Sequence, residues 1–320
     1  MSPLYPWFAP LWQQWQAHLE QDRFPNAALL IAKAGLGVDQ LVSQFSQAVM
    51  CSNYAAEPCG FCHSCQLMAS SNHPDFHRVV PEKEGKAITV DQIRQCNRVA
   101  QESSQLAGYR LIVIEPAETM NESAANALLK TLETPSAKCL FLLVATSASQ
   151  LLPTITSRCQ QWHVGEPDSV VLTQWLAEQT ELPVPAYAAH LNGHSPLQTL
   201  RFIEGKEQSR YQAIEQQLLA VTRQQGDVVK LAKELAAETE QSLSWLWYLL
   251  TDAQKCHFGL ALPTAIPGAS ALAQQVSYDL LYTQSEALRE LMEQLTTHSG
   301  LNRELLILDW LIKFNGEVCL

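Results

Sequence analysis

The sequence predicts an α/β fold, with a parallel sheet that carries helices on both faces, followed by an all-helical second half. Two observations predict the sheet. Residues 27–32, 110–115 and 140–146 are apolar runs, the second ending in an acid, and helical patterns separate them. Strands of a parallel sheet are buried on both faces and are therefore apolar throughout, and alternating strands and helices are typical of an α/β fold. After about residue 165 the strand patterns stop, which predicts helices for the rest of the chain.

The elements of the first half follow from local patterns in chain order. Aromatic and leucine side chains recur at helical spacing in residues 5–22, which predicts an amphipathic helix. The predicted strands are 27–32, 76–81, 110–115 and 140–146. The further predicted helices are 38–50, one that begins near residue 88 with Thr89 or Asp91 as its N-cap, and 124–133, which Thr134-Pro135 ends. We expect the topological switch point of the sheet near the loop that follows residue 32.

The length of 320 residues suits two or three domains. We predict three. The first is an α/β domain at 1–165 with an inserted cysteine knuckle at 51–65, the second a small helical domain at 166–206, and the third a helical domain at 207–320. The last helix is predicted at 302–314, and an apolar insert is predicted near 260–266.

Composition limits the partners that this chain can bind by itself. The net charge is −11 and the isoelectric point is about 5.3. A protein that holds DNA alone usually carries a basic stripe, so we expect any contact with DNA to be shared with more basic partners. No apolar stretch is long enough to span a bilayer and the N-terminus lacks the features of a signal peptide, so we expect a cytoplasmic protein without a membrane partner.

Four of the nine cysteines lie within fifteen residues, at Cys51, Cys59, Cys62 and Cys65. In a reducing cytoplasm such clustering favours a metal over disulfides. Four thiolates predict one structural, tetrahedral Zn²⁺ per chain. A redox-active cluster and an iron–sulfur cluster stay open as alternatives, although the usual spacings of iron–sulfur ligands do not match. Residues 51–65 contain no Lys or Arg, which favours a role in stapling the protein over DNA binding.

The loop after the first predicted strand resembles a phosphate-binding loop that has lost its ligands. A working loop reads G-x-x-x-x-G-K-[ST], in which the Lys meets the phosphates and the hydroxyl holds Mg²⁺. Here Gly35 and Gly37 remain, but Ala32 replaces the first Gly, Val38 the Lys and Asp39 the hydroxyl residue. Val38 offers no charge and Asp39 repels a polyphosphate. We therefore expect this chain to bind no ATP.

Four stretches together resemble the AAA+ clamp-loader family. They are residues 24–30 before the loop, the cysteine knuckle, residues 126–133 (Asn-Ala-Leu-Leu-Lys-Thr-Leu-Glu), and Thr156-Ser157-Arg158-Cys159. The resemblance covers the whole chain, and the order of the motifs makes it specific. It implies a RecA-like AAA+ domain, a small helical lid and an all-α collar domain that joins a five-subunit assembly.

The resemblance also implies roles for particular residues. In a working member, an Asp for Mg²⁺ and a Glu that orients water end the third strand, where this chain has Glu115 and Pro116. The lid arginine that touches the γ-phosphate should fall near Leu197, and no Arg lies there. These losses imply a subunit that hydrolyses no ATP. Arg158, with its motif neighbours Ser157 and Cys159, would instead project into a neighbouring subunit's ATP site as an arginine finger.

The implied partners are motor subunits of the gamma/tau type, a delta subunit, the sliding clamp through the complex, and primed DNA at most as part of the complex. Three alternatives stay open. An active motor resembling gamma/tau would carry the same knuckle and arginine, although Val38, Pro116 and Leu197 speak against it. A zinc-dependent DNA-binding protein is disfavoured by the acidic charge. Arg158 by itself is also compatible with an ordinary surface arginine.

Overall fold

The computed structural model describes residues 3–315, except 84, 107, 135, 137, 261–264 and 299. The chain forms two compact units, Met1–Val171 and Leu172–Leu320. The first unit is α/β and the described part of the second is helical, which confirms the predicted fold class. The further division into three domains, with boundaries after residues 165 and 206, stays a prediction.

The first unit is built on one sheet of five parallel strands. The strands are β1 (Ala27–Ala32), β2 (Phe76–Val79), β3 (Arg110–Ile114), β4 (Cys139–Ala145) and β5 (Gln160–Val164). Their order across the sheet is β2-β3-β4-β1-β5, and all four neighbouring pairs are parallel. The chain runs from β1 to β2 at one edge of the sheet and returns through β3 to β4 beside β1. It then passes β1 to form β5 at the opposite edge. The loop after β1 therefore lies at the switch point, as predicted.

Sequence patterns missed β5. This strand contains Gln160, Gln161 and His163, and none of its residues is fully buried. It forms an edge of the sheet and is only partly covered by other elements. Its sequence therefore lacks the apolar run that identified the central strands, which are buried on both faces. Trp162 is its main apolar contribution, with its ring stacked on that of Phe24 at a centroid distance of 5.3 Å.

The helices of the first unit cover both faces of the sheet. They are α1 (Ala9–Glu20), α2 (Val38–Met50), α3 (His63–Ala69), α4 (Val90–Gln101), α5 (Glu122–Glu133) and α6 (Pro153–Thr156). Leu30 and Leu142 pack on one face with side chains of α1 and α2. Leu29 and Phe141 pack on the other with side chains of α4 and α5. Successive residues of a strand point to opposite faces, so each strand supplies both layers.

Two helix starts show how local chemistry sets element boundaries. The predicted helix 5–22 divides into a 3₁₀ turn, Pro6–Phe8, and α1, and both begin with proline in their first two positions. Proline lacks an N–H and is tolerated only there in a helix. Of the two candidate caps for α4, Thr89 is the N-cap and forms a capping box with Gln92. Short 3₁₀ helices also occur at Ala117–Thr119 and Ala148–Gln150.

The second unit is an assembly of helices around an aromatic core. Its helices are α7 (Ser169–Gln179, which begins in the first unit), α8 (Ala188–Leu191), α9 (Pro196–Glu204), α10 (Gln208–Thr222), α11 (Val228–Ala237), α12 (Thr239–His257), α13 (Ala269–Gln275), α14 (Tyr278–Thr297) and α15 (Arg303–Ile312), followed by the 3₁₀ turn Lys313–Asn315. Trp245 of α12 is buried and meets the rings of Phe202 and Tyr211 edge-on. Most of the predicted apolar insert, at 261–264, lies outside the described residues. Among the described helices none combines the length and apolar character needed to cross a bilayer.

Candidate functional site

The glycine loop keeps the bend of a phosphate-binding loop. Gly35 and Gly37 have φ angles of 80° and 75°, a left-handed backbone conformation that other residues adopt only with strain. Gly37 is the N-cap of α2, so Val38 and Asp39 form its first turn. Between the glycines, Leu36 is buried and its carbonyl accepts a hydrogen bond from Nε1 of Trp7 at 2.9 Å. The loop is therefore anchored to the fold through protein contacts.

The N-terminal segment is attached to the first turn of α2. The backbone N–H of Tyr5 donates to Oε1 of Gln40 at 2.8 Å, and Nε2 of Gln40 donates to the carbonyl of Pro3 at 2.7 Å. The rings of Tyr5 and Trp7 stack with a centroid distance of 4.8 Å. These contacts hold the segment beside the loop.

An arginine joins the two acids of the degenerate site. Arg78 of β2 forms an ion pair with Glu115, which directly follows β3, and its Nη2 lies 3.6 Å from Oδ1 of Asp39. Glu115 is buried, and burial raises its pKa, although the Arg78 guanidinium opposes the rise. In a working site Mg²⁺ would interact with groups at the Asp39 and Glu115 positions. Here a fixed protein cation contacts both carboxylates.

Sequence reasoning missed Arg78. It is the one Lys or Arg in the run 76–81, which also contains His77, and a charged residue among apolar ones was the available signal. Its two partners come from different elements, and only the adjacency of β2 and β3 in the sheet brings it to Glu115. Contacts of this kind leave no spacing pattern in the chain.

The other positions of the degenerate site are also engaged in protein contacts. Pro116 follows Glu115 where a working site has a water-orienting Glu. Thr146, directly after β4, donates from both its N–H and its hydroxyl to Oε1 of Glu118, at 3.0 and 2.6 Å. Leu197 lies half-buried in α9 of the second unit. Leu197 therefore belongs to the second unit and the other predicted site residues to the first.

Arg158 lies on the surface between two buried anchors. Ile155 and Cys159 are buried in the core beneath α5, whereas a third of the Arg158 side chain is exposed. Nε of Arg158 donates to Oε1 of Glu133 at 2.7 Å, and Nη2 contacts the same carboxylate. Nη1 donates to the carbonyl of Thr154 at 2.9 Å. The motif thus has two buried side chains that anchor its backbone, and its charged side chain folds back on its own chain.

The four clustered cysteines converge on one point. The sulfur atoms of Cys51, Cys59, Cys62 and Cys65 all lie within 4.8 Å of one another, with Sγ of Cys59 and Cys65 at 3.9 Å. A tetrahedral Zn²⁺ with Zn–S bonds of about 2.3 Å needs sulfurs roughly 3.8 Å apart. Gly60, with a φ of 77°, forms the turn between two of the ligands. The donor set and its spacing are compatible with zinc.

Backbone N–H groups already point at three of these sulfurs. The N–H groups of Cys59, Cys62 and Cys65 donate to Sγ of Cys51, Cys59 and Cys62 at 3.4, 3.3 and 3.4 Å. Burial raises the pKa of Cys62, but N–H donors, with that of Cys65 foremost, outweigh it and bring the pKa to about 6. Burial raises the pKa of Cys65 to about 12. Since a coordinating metal deprotonates a thiol outright, a bound Zn²⁺ would hold all four side chains as thiolates.

Comparison with known proteins identifies the family. A family model described as DNA polymerase III, delta subunit, matches residues 8–168, and a model of the C-terminal part of that subunit matches residues 206–316. A relative from Haemophilus influenzae, DNA polymerase III subunit delta', is 32% identical over 99% of this chain and 99% of its own length. The chain belongs to the family of DNA polymerase III delta' subunits. A second delta' relative, from Escherichia coli K12, is 34% identical over 97% of this chain and 94% of its own length.

Solved structures add little to this delta' assignment. A DNA polymerase III gamma subunit-related protein from Thermotoga maritima matches with a TM-score of 0.44 at 17% identity, covering 95% of this chain and 98% of its own. The family assignment therefore rests on the sequence matches, and the parallel sheet with its helices rests on the structure of this chain.

Proposed function

We propose that this delta' family member is the non-hydrolysing stator subunit of a clamp loader within the DNA polymerase III holoenzyme. One observation carries the proposal, namely that Arg78 contacts both Asp39 and Glu115 at the degenerate loop. Arg78 thereby pairs closely with Glu115 and lies 3.6 Å from the largely exposed Asp39, the two carboxylates at the positions expected to serve Mg²⁺. This arrangement supports the proposal because the Glu115 carboxylate is held by an arginine where a working site would use its carboxylate for Mg²⁺.

The electrostatics of the loop work against phosphate as well. The bend and the helix N-terminus would favour an anion, but Val38 supplies no ammonium group and Asp39 places a negative charge in the first turn of α2. Pro116 has no side chain that could orient water. Loss of phosphate binding, metal binding and the general base together supports a chain that neither binds nor hydrolyses ATP.

The proposed contribution of this chain to ATP hydrolysis is made in a neighbouring subunit. In the proposed role, Arg158 enters the ATP site of an adjacent motor subunit of the gamma/tau type and stabilises charge on the transferring phosphoryl group. Buried Cys159 fixes the backbone beside it, and Ser157 completes the motif. In GTPases a finger of this kind is worth about 10³–10⁵ in rate. The motors and a delta subunit would complete the collar, with the sliding clamp and primed DNA bound by the whole assembly.

Zn²⁺ is the proposed resident metal of this subunit. Cys51, Cys59, Cys62 and Cys65 would hold it with no open position, so it would supply structural cross-linking and no chemistry. Cys51 ends α2 and Cys62 is the N-cap of α3. The four side chains would thus join the ends of two helices through a segment that has little regular structure of its own.

The first test measures clamp- and DNA-dependent ATP turnover by the motor subunits, with this chain wild-type, as Arg158→Ala, or left out. We expect turnover to need the chain and to fall at least about 10²-fold with Arg158→Ala, because a transition-state charge contact is lost. Arg94→Ala, at an exposed site on α4, is the matched control and should leave turnover unchanged. Normal turnover with Arg158→Ala would refute the finger role.

Nucleotide titration of the isolated chain separates the stator from an active motor. We expect no saturable Mg·ATP binding at micromolar concentrations, since the Lys and hydroxyl of a working loop are absent. Micromolar binding would contradict the proposal and favour the motor function.

A further inference from the structure

Arg158 is fully engaged by its own chain. All three nitrogens of its guanidinium donate hydrogen bonds: Nε and Nη2 to the Glu133 carboxylate, and Nη1 to the Thr154 carbonyl at 2.9 Å. Glu133 is the last residue of α5 and about half exposed. A cation at that position is further favoured by the negative end of the α5 dipole.

This geometry conflicts with a finger that acts on a neighbour. An arginine binds phosphoryl oxygens best through a fork of two N–H groups, and here one oxygen of Glu133 accepts from the fork formed by Nε and Nη2. To bind phosphate through that fork, Arg158 must exchange the Glu133 carboxylate for phosphate. Glu133 and Arg158 are 25 residues apart in the chain. Because Ile155 and Cys159 anchor the backbone beside Arg158, the exchange takes place by rotation of the Arg158 side chain.

We propose that Glu133 is a competitor in cis for the arginine finger. It holds Arg158 on its own subunit until a neighbouring subunit presents the greater negative charge of a nucleoside triphosphate. The ion pair thereby makes engagement of the finger depend on the charge of the nucleotide. This inference rests on the proposed finger role of Arg158, and it gives a positioning role to Glu133, the last residue of the motif at 126–133.

The size of the expected effect follows from the exposure of the pair. Exposed ion pairs shift an equilibrium by a factor of roughly 1.4 to 5. Replacing Glu133 by Gln keeps the size of the side chain and removes its charge. The variant should therefore raise kcat/KM for ATP of the assembled loader by about 1.4- to 5-fold. The gain should shrink as salt rises, because screening weakens the wild-type pair.

The experiment compares four assembled loaders: wild-type, Glu133→Gln, Arg158→Ala, and the double variant. We expect the double variant to match Arg158→Ala, since Glu133 would act only through the arginine. Glu122→Gln is the matched control, because it makes the same charge change at the exposed other end of α5, roughly 16 Å away along the helix, and it should leave turnover unchanged.

The outcomes separate this inference from the function on which it rests. If Arg158→Ala lowers turnover but Glu133→Gln leaves it unchanged, Glu133 does not compete and the inference is wrong. If Glu133→Gln lowers turnover, the carboxylate aligns the finger for catalysis, which also overturns the inference. If Arg158→Ala has no effect, the proposed finger role itself fails. A salt-dependent gain that disappears in the double variant supports the competition.

Discussion

At the scale of single residues, Asp252 shows how a buried charge organises its surroundings. Its Oδ1 lies 2.9 Å from both Nε2 of His190 and Nζ of Lys255, and its Oδ2 accepts from the N–H of Ile266 at 3.2 Å. Burial by itself would raise the pKa of the carboxyl, but these partners outweigh it and lower the pKa to about 2. The folded second unit therefore contains Asp252 as a carboxylate.

Replacing Asp252 by Asn should destabilise the protein in a pH-dependent way. Because the folded pKa lies below the ordinary value of 3.8, the charge contributes stability above about pH 4 and loses it as the pH falls toward about 2. Near neutral pH we expect the free energy of unfolding to drop by about 1–3 kcal/mol, with the difference narrowing below pH 4. Urea unfolding at several pH values measures it. Asp309→Asn, which changes an exposed pair with Lys313, is the control. If Asp252→Asn lowered the free energy of unfolding by the same amount at every pH, the argument would be contradicted.

At the scale of elements, secondary structure and apolar packing explain the order of the cysteine knuckle least well. Residues 51–62 contain no helix or strand, and Tyr54 and Phe61 are exposed. What organises the segment is the convergence of four sulfurs and the N–H groups that point at them. A segment that buries so little apolar surface gains its order from a cross-link, and a structural metal is such a cross-link.

Cys62→Ser should therefore lower the zinc content from about one per chain and make the knuckle sensitive to proteases. A chelator should have the same effect on the wild-type protein and little further effect on the variant. Zinc binding should weaken as the pH falls, since the thiols must lose their protons. Cys256→Ser, which changes a cysteine of α12 outside the cluster, should retain the metal. A metal-free wild-type protein that is fully stable would refute the zinc assignment.

At the scale of the whole molecule, each of the two units has its own core. The first is centred on the sheet and contains a buried ion pair, in which Nη2 of Arg110 lies 3.0 Å from Oδ1 of Asp75. Arg110 also donates to the carbonyls of Glu102 and Ser103 at 2.8 Å, which ties the segment after α4 to β3. The second core surrounds Trp245. Units with separate cores are able to unfold separately.

We expect two unfolding transitions in calorimetry. Arg110→Met leaves the Asp75 carboxylate buried without its partner, which should cost about 3–5 kcal/mol and lower only the transition of the first unit. Asp252→Asn should lower only the other. The exposed pair of Arg94 with Asp91 gives a control, since Arg94→Gln should cost less than about 1 kcal/mol. A single transition that shifts with both variants would show that the units unfold together.

Much of the fold could be predicted because its information is local. The runs that form β1, β3 and β4 are apolar at nearly every position, since the central strands of a parallel sheet are covered on both faces. Thr89, one of the two candidate N-caps, marked the start of α4. The edge strand β5 was missed for the same physical reason, because half-covered positions such as Gln160 and His163 have no need to be apolar.

The types of most elements, the spacing of the cysteines and the absence of a lysine at Val38 can be read from the chain, since each depends on neighbouring residues. Which charges meet is established by the folding of distant segments onto one another. Arg78 and Glu115 are 37 residues apart, and Arg158 and Glu133 are 25 apart. Ion pairs depend on distance in space, which the order of the strands and the packing of α5 on α6 establish, so no pattern in the chain could have indicated them.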